Sequence, residues 1–128
     1  MQIVNSSFVS IGPAEAARRM QITIKTLRHY ERRGLLKPRR TAKGWRVYGR
    51  EDVARLKQIL AFKAMGFRLT QIARLLEASP DALALALAGQ ELELKSQIKQ
   101  LNGALDAVRA ARAKMARPAS GAPTALAA

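Results

Sequence analysis

The segment Thr23-Ile24-Lys25-Thr26-Leu27-Arg28-His29-Tyr30-Glu31-Arg32-Arg33-Gly34-Leu35-Leu36 constrains the fold more than any other part of the chain. Thr23 carries a hydroxyl that caps a helix start, and Gly34 supplies a helix stop. Between them the 3–4 spacing of apolar residues predicts a helix to about Arg33, with Leu27 and Tyr30 on the core side and Ile22 just before it. Lys25, Arg28, Arg32 and His29 then point outward. Next comes Lys37-Pro38-Arg39-Arg40, a turn at Thr41-Ala42-Lys43-Gly44, and a return strand Trp45-Arg46-Val47-Tyr48. Gly44 fits the positive φ of such a turn. Pro38 confines these strands to an edge, as in a small hairpin wing.

A second, shorter helix is predicted upstream over about 11–19. Ser10 is its expected N-cap, Pro13 falls in its first turn, and Ile11, Ala14 and Ala17 share one face. Arg18 and Arg19 point outward. Gln21-Ile22 joins the two helices, so the pair reads as a helix-turn-helix. Downstream, Gly49 opens a third helix over about 50–65, with Glu51 and Asp52 favourable to its dipole. Val53, Leu56, Leu60 and Lys63/Ala64 give it a 3–4 spacing. Met65-Gly66-Phe67 breaks it. A fourth helix follows over about 69–78, with Leu69, Ile72, Leu75 and Leu76 apolar. All aromatic residues lie between Phe8 and Phe67, so the compact core belongs to this first part.

The net charge of +14 is unevenly placed. Residues 1–76 hold 17 Lys and Arg against 4 Asp and Glu, whereas residues 77–128 hold 6 against 5. A basic face that coincides with helix-turn-helix signals is an electrostatic footprint for phosphate. The chain has no cysteine and one histidine, which excludes disulfides and thiolate metal sites. No nucleophile–base pair, metal cluster or Gly-rich phosphate loop is present, so an enzyme is not expected and no cofactor is called for. No apolar run reaches the span of a membrane helix, and no secretory pattern opens the chain. A cytoplasmic location follows as the expectation.

Ser79-Pro80-Asp81 marks a second boundary. Beyond it Leu94, Ile98, Leu101, Leu105, Val108 and Met115 step by fours and threes, interrupted by Arg112. That is a heptad seam, on a helix about 37 Å long from Glu91 to Met115. Glu91 supports it through Lys95, and Gly103 weakens it. A lone amphipathic helix leaves its stripe uncovered, which predicts self-association through those six residues. Leu83, Leu85 and Leu87 are expected to pack locally on the first domain. Residues 1–9 read as a loosely held lead-in, and 117–128 as a disordered Pro/Ala/Gly tail. The expected organisation is thus a domain over 10–78, a dimerisation helix over 79–116 and a tail.

Over about residues 9–116 the chain resembles MerR-type transcriptional regulators. The matching pieces are Ser10-Ile11-Gly12, Thr26 to Leu35, Gly44-Trp45-Arg46-Val47-Tyr48, Asp52-Val53-Ala54-Arg55-Leu56 and Gly66 to Ile72. Their order and spacing together are specific. The chain departs from the family pattern at Pro13, Gln21, His29, Trp45 and Arg68; at Arg68, Thr70 or a water is the expected substitute cap. The resemblance implies a mainly α fold: a winged helix-turn-helix with two wings, then a long helix forming an antiparallel coiled coil in a homodimer. It implies double-stranded DNA with a near-palindromic operator as partner. It also implies control of RNA polymerase by distorting a promoter whose spacer is too long; the rival is a passive repressor or architectural, excisionase-like protein. The thiolate and iron–sulfur sensing of some members needs cysteines that this chain lacks.

The expected DNA-contacting residues are Arg18, Thr23, Lys25, Thr26, Arg28, His29, Tyr30, Arg39, Lys43, Trp45, Arg46, Lys63 and Arg68. Arg28 is suited to a phosphate or a guanine edge, or to an ion pair with Glu31. Lys25 sits at the helix start, where base edges are met. Tyr30 and Tyr48 fit the core better than base reading. His29 is open between a phosphate contact and plain surface. Trp45 is open between a phosphate contact and pinning the wing on the helix. Arg39, Arg40 and Lys43 are general phosphate neighbours, and the family pattern puts a phosphate contact at Lys63.

Overall fold

The computed structural model describes residues 10–117, and the expectations for 1–9 and 118–128 lie outside it. In chain order the elements are α1 (Pro13–Met20), α2 (Ile24–Arg32), β1 (Arg39–Arg40), β2 (Arg46–Val47), α3 (Arg50–Ala64), α4 (Leu69–Leu75) and α5 (Pro80–Ala116). Two compact units result, one reaching to Ala86 and the other beginning at Leu87.

The first unit is held by Leu27, Tyr30, Leu35, Leu36, Tyr48, Leu56, Ile59, Phe67, Ile72 and Leu75 around Ala16. Phe62 meets Phe67 edge-on, with ring centroids 6.0 Å apart, a favoured aromatic geometry. Leu83 and Ala86, in the first turns of α5, pack against this core. Ser79 starts α5 by accepting the Ala82 amide at 3.2 Å, with Pro80 tolerated at the first position.

Three helices stop in the same way. After α1, α2 and α3 comes a residue at positive φ: Gln21 (58°), Gly34 (78°) and Gly66 (92°). Each is followed by an apolar residue whose amide reaches back to a carbonyl: Ile22 to Ala17, Leu35 to Tyr30 and Phe67 to Phe62. This double-bonded stop satisfies carbonyls that a helix end would otherwise leave bare. At Gln21 a side-chain-bearing residue takes the left-handed conformation that glycine usually supplies.

Several local expectations are corrected. Ser10 does not cap α1. Gly12 precedes Pro13 as the cap residue, because Ile11 is drawn into an antiparallel bridge with Tyr48. The Ile11 and Tyr48 amides donate to each other's carbonyls at 2.9 and 2.7 Å, adding a third extended segment to the hairpin. Ala16, not Ala14, joins Ala17 inside. On α3 the buried pair is Leu56 and Ile59, while Lys63 and Ala64 face out. At α4 neither Thr70 nor the Arg68 side chain makes the cap; the Gln71 carboxamide accepts the Arg68 amide at 2.8 Å. Asp52 does the same for Gly49 at 2.9 Å. Leu85 and Leu87 are exposed, because α5 turns Leu83 and Ala86 inward instead.

The second unit is the helical stretch from Leu87 to Ala116. Gly103 lies within it without ending it. Leu94, Ile98, Leu101, Leu105, Val108 and Met115 are all exposed in the single chain.

Candidate nucleic-acid interface

The face begins with the start of α2. Thr23 accepts the Thr26 amide at 3.0 Å and donates its hydroxyl to Thr26 Oγ1 at 2.9 Å. These two threonines therefore serve first as a cap that fixes where the helix begins. With that start fixed, Leu27 and Tyr30 are buried, and Lys25 and Arg28 are exposed one turn apart. Among the described residues no hydrogen bond or ion pair engages the Lys25 or Arg28 side chain. The pairing of Arg28 with Glu31 considered from sequence does not form, because Glu31 is taken by the wing.

The wing is a short antiparallel ribbon with Arg39 opposite Val47 and Arg40 opposite Arg46. Thr41 and Trp45 close it: the Thr41 amide bonds the Trp45 carbonyl at 2.8 Å, and the Gly44 amide the Thr41 carbonyl at 2.8 Å. Gly44 has φ 85°, as a three-residue hairpin loop of this type requires. Trp45 is 68% exposed, with the Lys43 ammonium 5.6 Å from its ring centroid. It does not pin the wing to a helix. That task falls to Arg46, whose Nε donates to Glu31 Oε1 at 2.6 Å.

An open cleft of about 460 Å³ runs between these elements, lined by Pro13, Arg28, Thr41, Gly44, Trp45 and Arg46 among others. Helix cation, wing arginine and wing aromatic thus share one concavity, with a predominance of positive charge at its rim. Such a groove accepts a polyanionic backbone.

The remaining expected contacts are spread around this cleft. Tyr30 is buried in the core, and desolvation raises its hydroxyl's pKa. His29 is half-buried with its ring tilted against Tyr30. Arg18 is exposed but bonded to Glu15, as is Arg19 at 2.7 Å. Those hydrogen bonds lower the Glu15 carboxyl to a pKa of about 2. Arg39, Lys63 and Arg68 are exposed, Lys63 in the last turn of α3 and Arg68 just before α4, on either side of the Gly66 turn. Among the described residues no group of His, Cys, Asp and Glu is placed to hold a metal. No helix of the described residues is long and apolar enough to cross a membrane.

Sequence reading missed Glu31 as the counter-charge of the wing. The signal was available. Glu31 is the one acidic residue between Glu15 and Glu51, with the basic residues of the second helix and the hairpin on either side of it in sequence.

A helix-turn-helix with a basic hairpin beside its second helix defines the winged helix-turn-helix class. Comparison with known proteins narrows it. Residues 13–79 match the model of the MerR HTH family of regulatory proteins. The chain belongs to the MerR family. It is 37% identical over 95 residues to the HTH-type transcriptional regulator SkgA of Caulobacter vibrioides, covering 73% of this chain and 37% of that protein. The chain therefore spans little more than a third of this curated relative. Among solved structures, it resembles MtaN, the N-terminus of the Bacillus subtilis multidrug transporter activator, with a TM-score of 0.72 and 31% identity over 78% of this chain and 95% of that one. It also resembles HiNmlR, a MerR family regulator lacking the sensor domain and bound to promoter DNA, with a TM-score of 0.60 and 26% identity over 94% and 100% of the two chains.

Proposed function

We propose that the protein is a homodimeric, sequence-specific DNA-binding transcriptional regulator acting in the cytoplasm on a near-palindromic operator. The observation that carries this reading is Arg28, unpaired among the described residues, on the exposed face of α2 and sharing a cleft with the exposed wing residue Trp45. Arg28 and Lys25 enter the major groove, while Lys43, Trp45 and Arg39 engage the flanking phosphates. Lys63 and Arg68 extend the phosphate contacts from the Gly66 turn. The capture of HiNmlR on promoter DNA supports duplex DNA as the partner, since this chain matches that regulator over its whole length.

The uncovered stripe of Leu94, Ile98, Leu101, Leu105, Val108 and Met115 is the dimer seam, covered by the same stripe of a second copy in an antiparallel coiled coil. Two recognition helices then meet successive major grooves. Wing contacts on both sides support bending and untwisting of a promoter with an over-long spacer, so that RNA polymerase engages both its elements.

The test is recovery of bound fragments across the genome, then footprinting at the strongest site, with Arg28→Ala as control. One palindromic site between widely spaced promoter elements, lost in the variant, supports the reading. Diffuse binding that the variant weakens evenly overturns it in favour of an architectural protein. A specific site without transcriptional activation indicates a passive repressor.

A further inference from the structure

The hairpin register sets Arg40 directly opposite Arg46. Like charges facing each other across a ladder repel and loosen a ribbon that is already only two residues deep. The carboxylate that meets them comes from another element. Arg46 Nε donates to Glu31 Oε1 at 2.6 Å, and Arg40 Nη2 lies 3.9 Å from Glu31 Oε2. Arg40 also donates to the Gly44 carbonyl at 2.9 Å, so the same guanidinium grips the loop that presents Trp45. The Glu31 and Arg46 side chains are only 20% and 27% exposed, so water and salt screen this pair less than an ordinary surface pair.

A carboxylate on this face works against phosphate attraction. Its position explains its presence: it lies on α2 one turn after Arg28 and is bonded to the wing residue that shares the cleft with Arg28. We propose that Glu31 is a positioning residue that clamps the wing to the recognition helix and exchanges affinity for sequence discrimination. With the clamp in place, the phosphate contacts of the wing and the base contacts of Arg28 hold one fixed spacing, which only the correct site satisfies. Without it, two arginines are released to neutralise phosphates on any duplex.

This inference rests on the DNA-binding reading above, and its test separates the two. Trp45 is the chain's one tryptophan and sits on the wing, so its fluorescence reports wing motion without DNA. Glu31→Gln keeps the shape and removes the charge. In the free protein, local Trp45 motion in the anisotropy decay should increase. On a scrambled duplex, affinity should rise and the salt slope steepen by about 0.9 for each additional phosphate neutralised. The ratio of affinity for the strongest recovered site to that for the scrambled duplex should fall about tenfold, the scale of a lost specific contact. A double-mutant cycle with Arg46→Gln should show both effects coupled.

Unchanged Trp45 motion overturns the proposal. So does an equal fall on both duplexes, which marks mere destabilisation. Should Glu31→Gln unfold, Glu31→Ala is measured instead; it removes the carboxylate and leaves both arginines in place, and the same directions are expected. If the unaltered protein recovers no preferred site, the DNA-binding reading fails, while the Trp45 measurement still decides whether Glu31 holds the wing.

Discussion

Arg28 and Arg46 carry the same charge and line the same cleft, yet their surroundings give them different work. Arg28 makes no hydrogen bond or ion pair among the described residues, whereas Arg46 is committed to Glu31. Arg28→Ala should therefore remove about 1–3 kcal/mol of discrimination at the strongest site and much less affinity for scrambled DNA, measured by competitive titration of the two duplexes. A third pattern appears at Glu15, which is bonded to both Arg18 and Arg19 and held near pKa 2. Because the folded value is depressed, its contribution to stability is present above the ordinary carboxyl pKa of 4.5 and is lost as pH falls from there through about 2. The group is open to solvent, so salt screens it. Its titration, followed by carboxyl NMR, should begin far below the usual range in dilute buffer and move up towards it at about 1 M salt. Arg18 must break this pair to reach phosphate, and the site-specific loss on Arg18→Ala should be correspondingly smaller than on Arg28→Ala.

At the scale of elements, the helix stops differ in what they demand. Gly34 adopts φ 78° with open space where a side chain would begin, so backbone conformation alone resists substitution. Gly34→Ala should cost about 1–2 kcal/mol in chemical denaturation, the cost of placing an L-residue in the left-handed region. Gln21 already bears that strain, so Gln21→Gly should relieve it while adding freedom to the unfolded chain, leaving stability changed by less than about 1 kcal/mol. Elements with strong local signals were legible: the Thr23 cap, the Gly34 stop and the Gly44 loop all act as their chemistry predicts. Where long-range pairing competes with local preference, the outcome differs from the local expectation. Ser10 is a good cap by composition, but Ile11 is claimed by Tyr48, far along the chain. Arg28 and Glu31 are neighbours on α2, but the wing offers Glu31 two guanidinium groups.

For the whole molecule, the charge division and the uncovered apolar stripe of α5 were readable because each is a repeated pattern, and repetition averages out local error. What covers the seam is a property of two chains, and one sequence carries it only as pattern. Leu101→Lys with Leu105→Lys should convert the protein from dimer to monomer in sedimentation. It should also lower affinity for a palindromic site by about 100-fold or more, since the second half-site is then met independently. Monomeric sedimentation of the unaltered protein would overturn the dimer reading. In the double variant far-UV circular dichroism should fall as well, because a lone helix of this kind is poorly stable in water.

The reciprocal amides of Ile11 and Tyr48 carry one further consequence, on the timescale of solvent exchange. The bridge they form adjoins the hairpin, so the wing swings outward only by parting from the segment before α1 or by carrying it along. In the first case both protons become labile in the same event, and their matched deuteration counts wing openings. In the second they stay protected while the amides of Thr41 and Gly44 exchange alone. The Ile11 amide, outside every helix and remote in sequence from the hairpin, is thus a native clock for the part of the molecule that would grip the duplex.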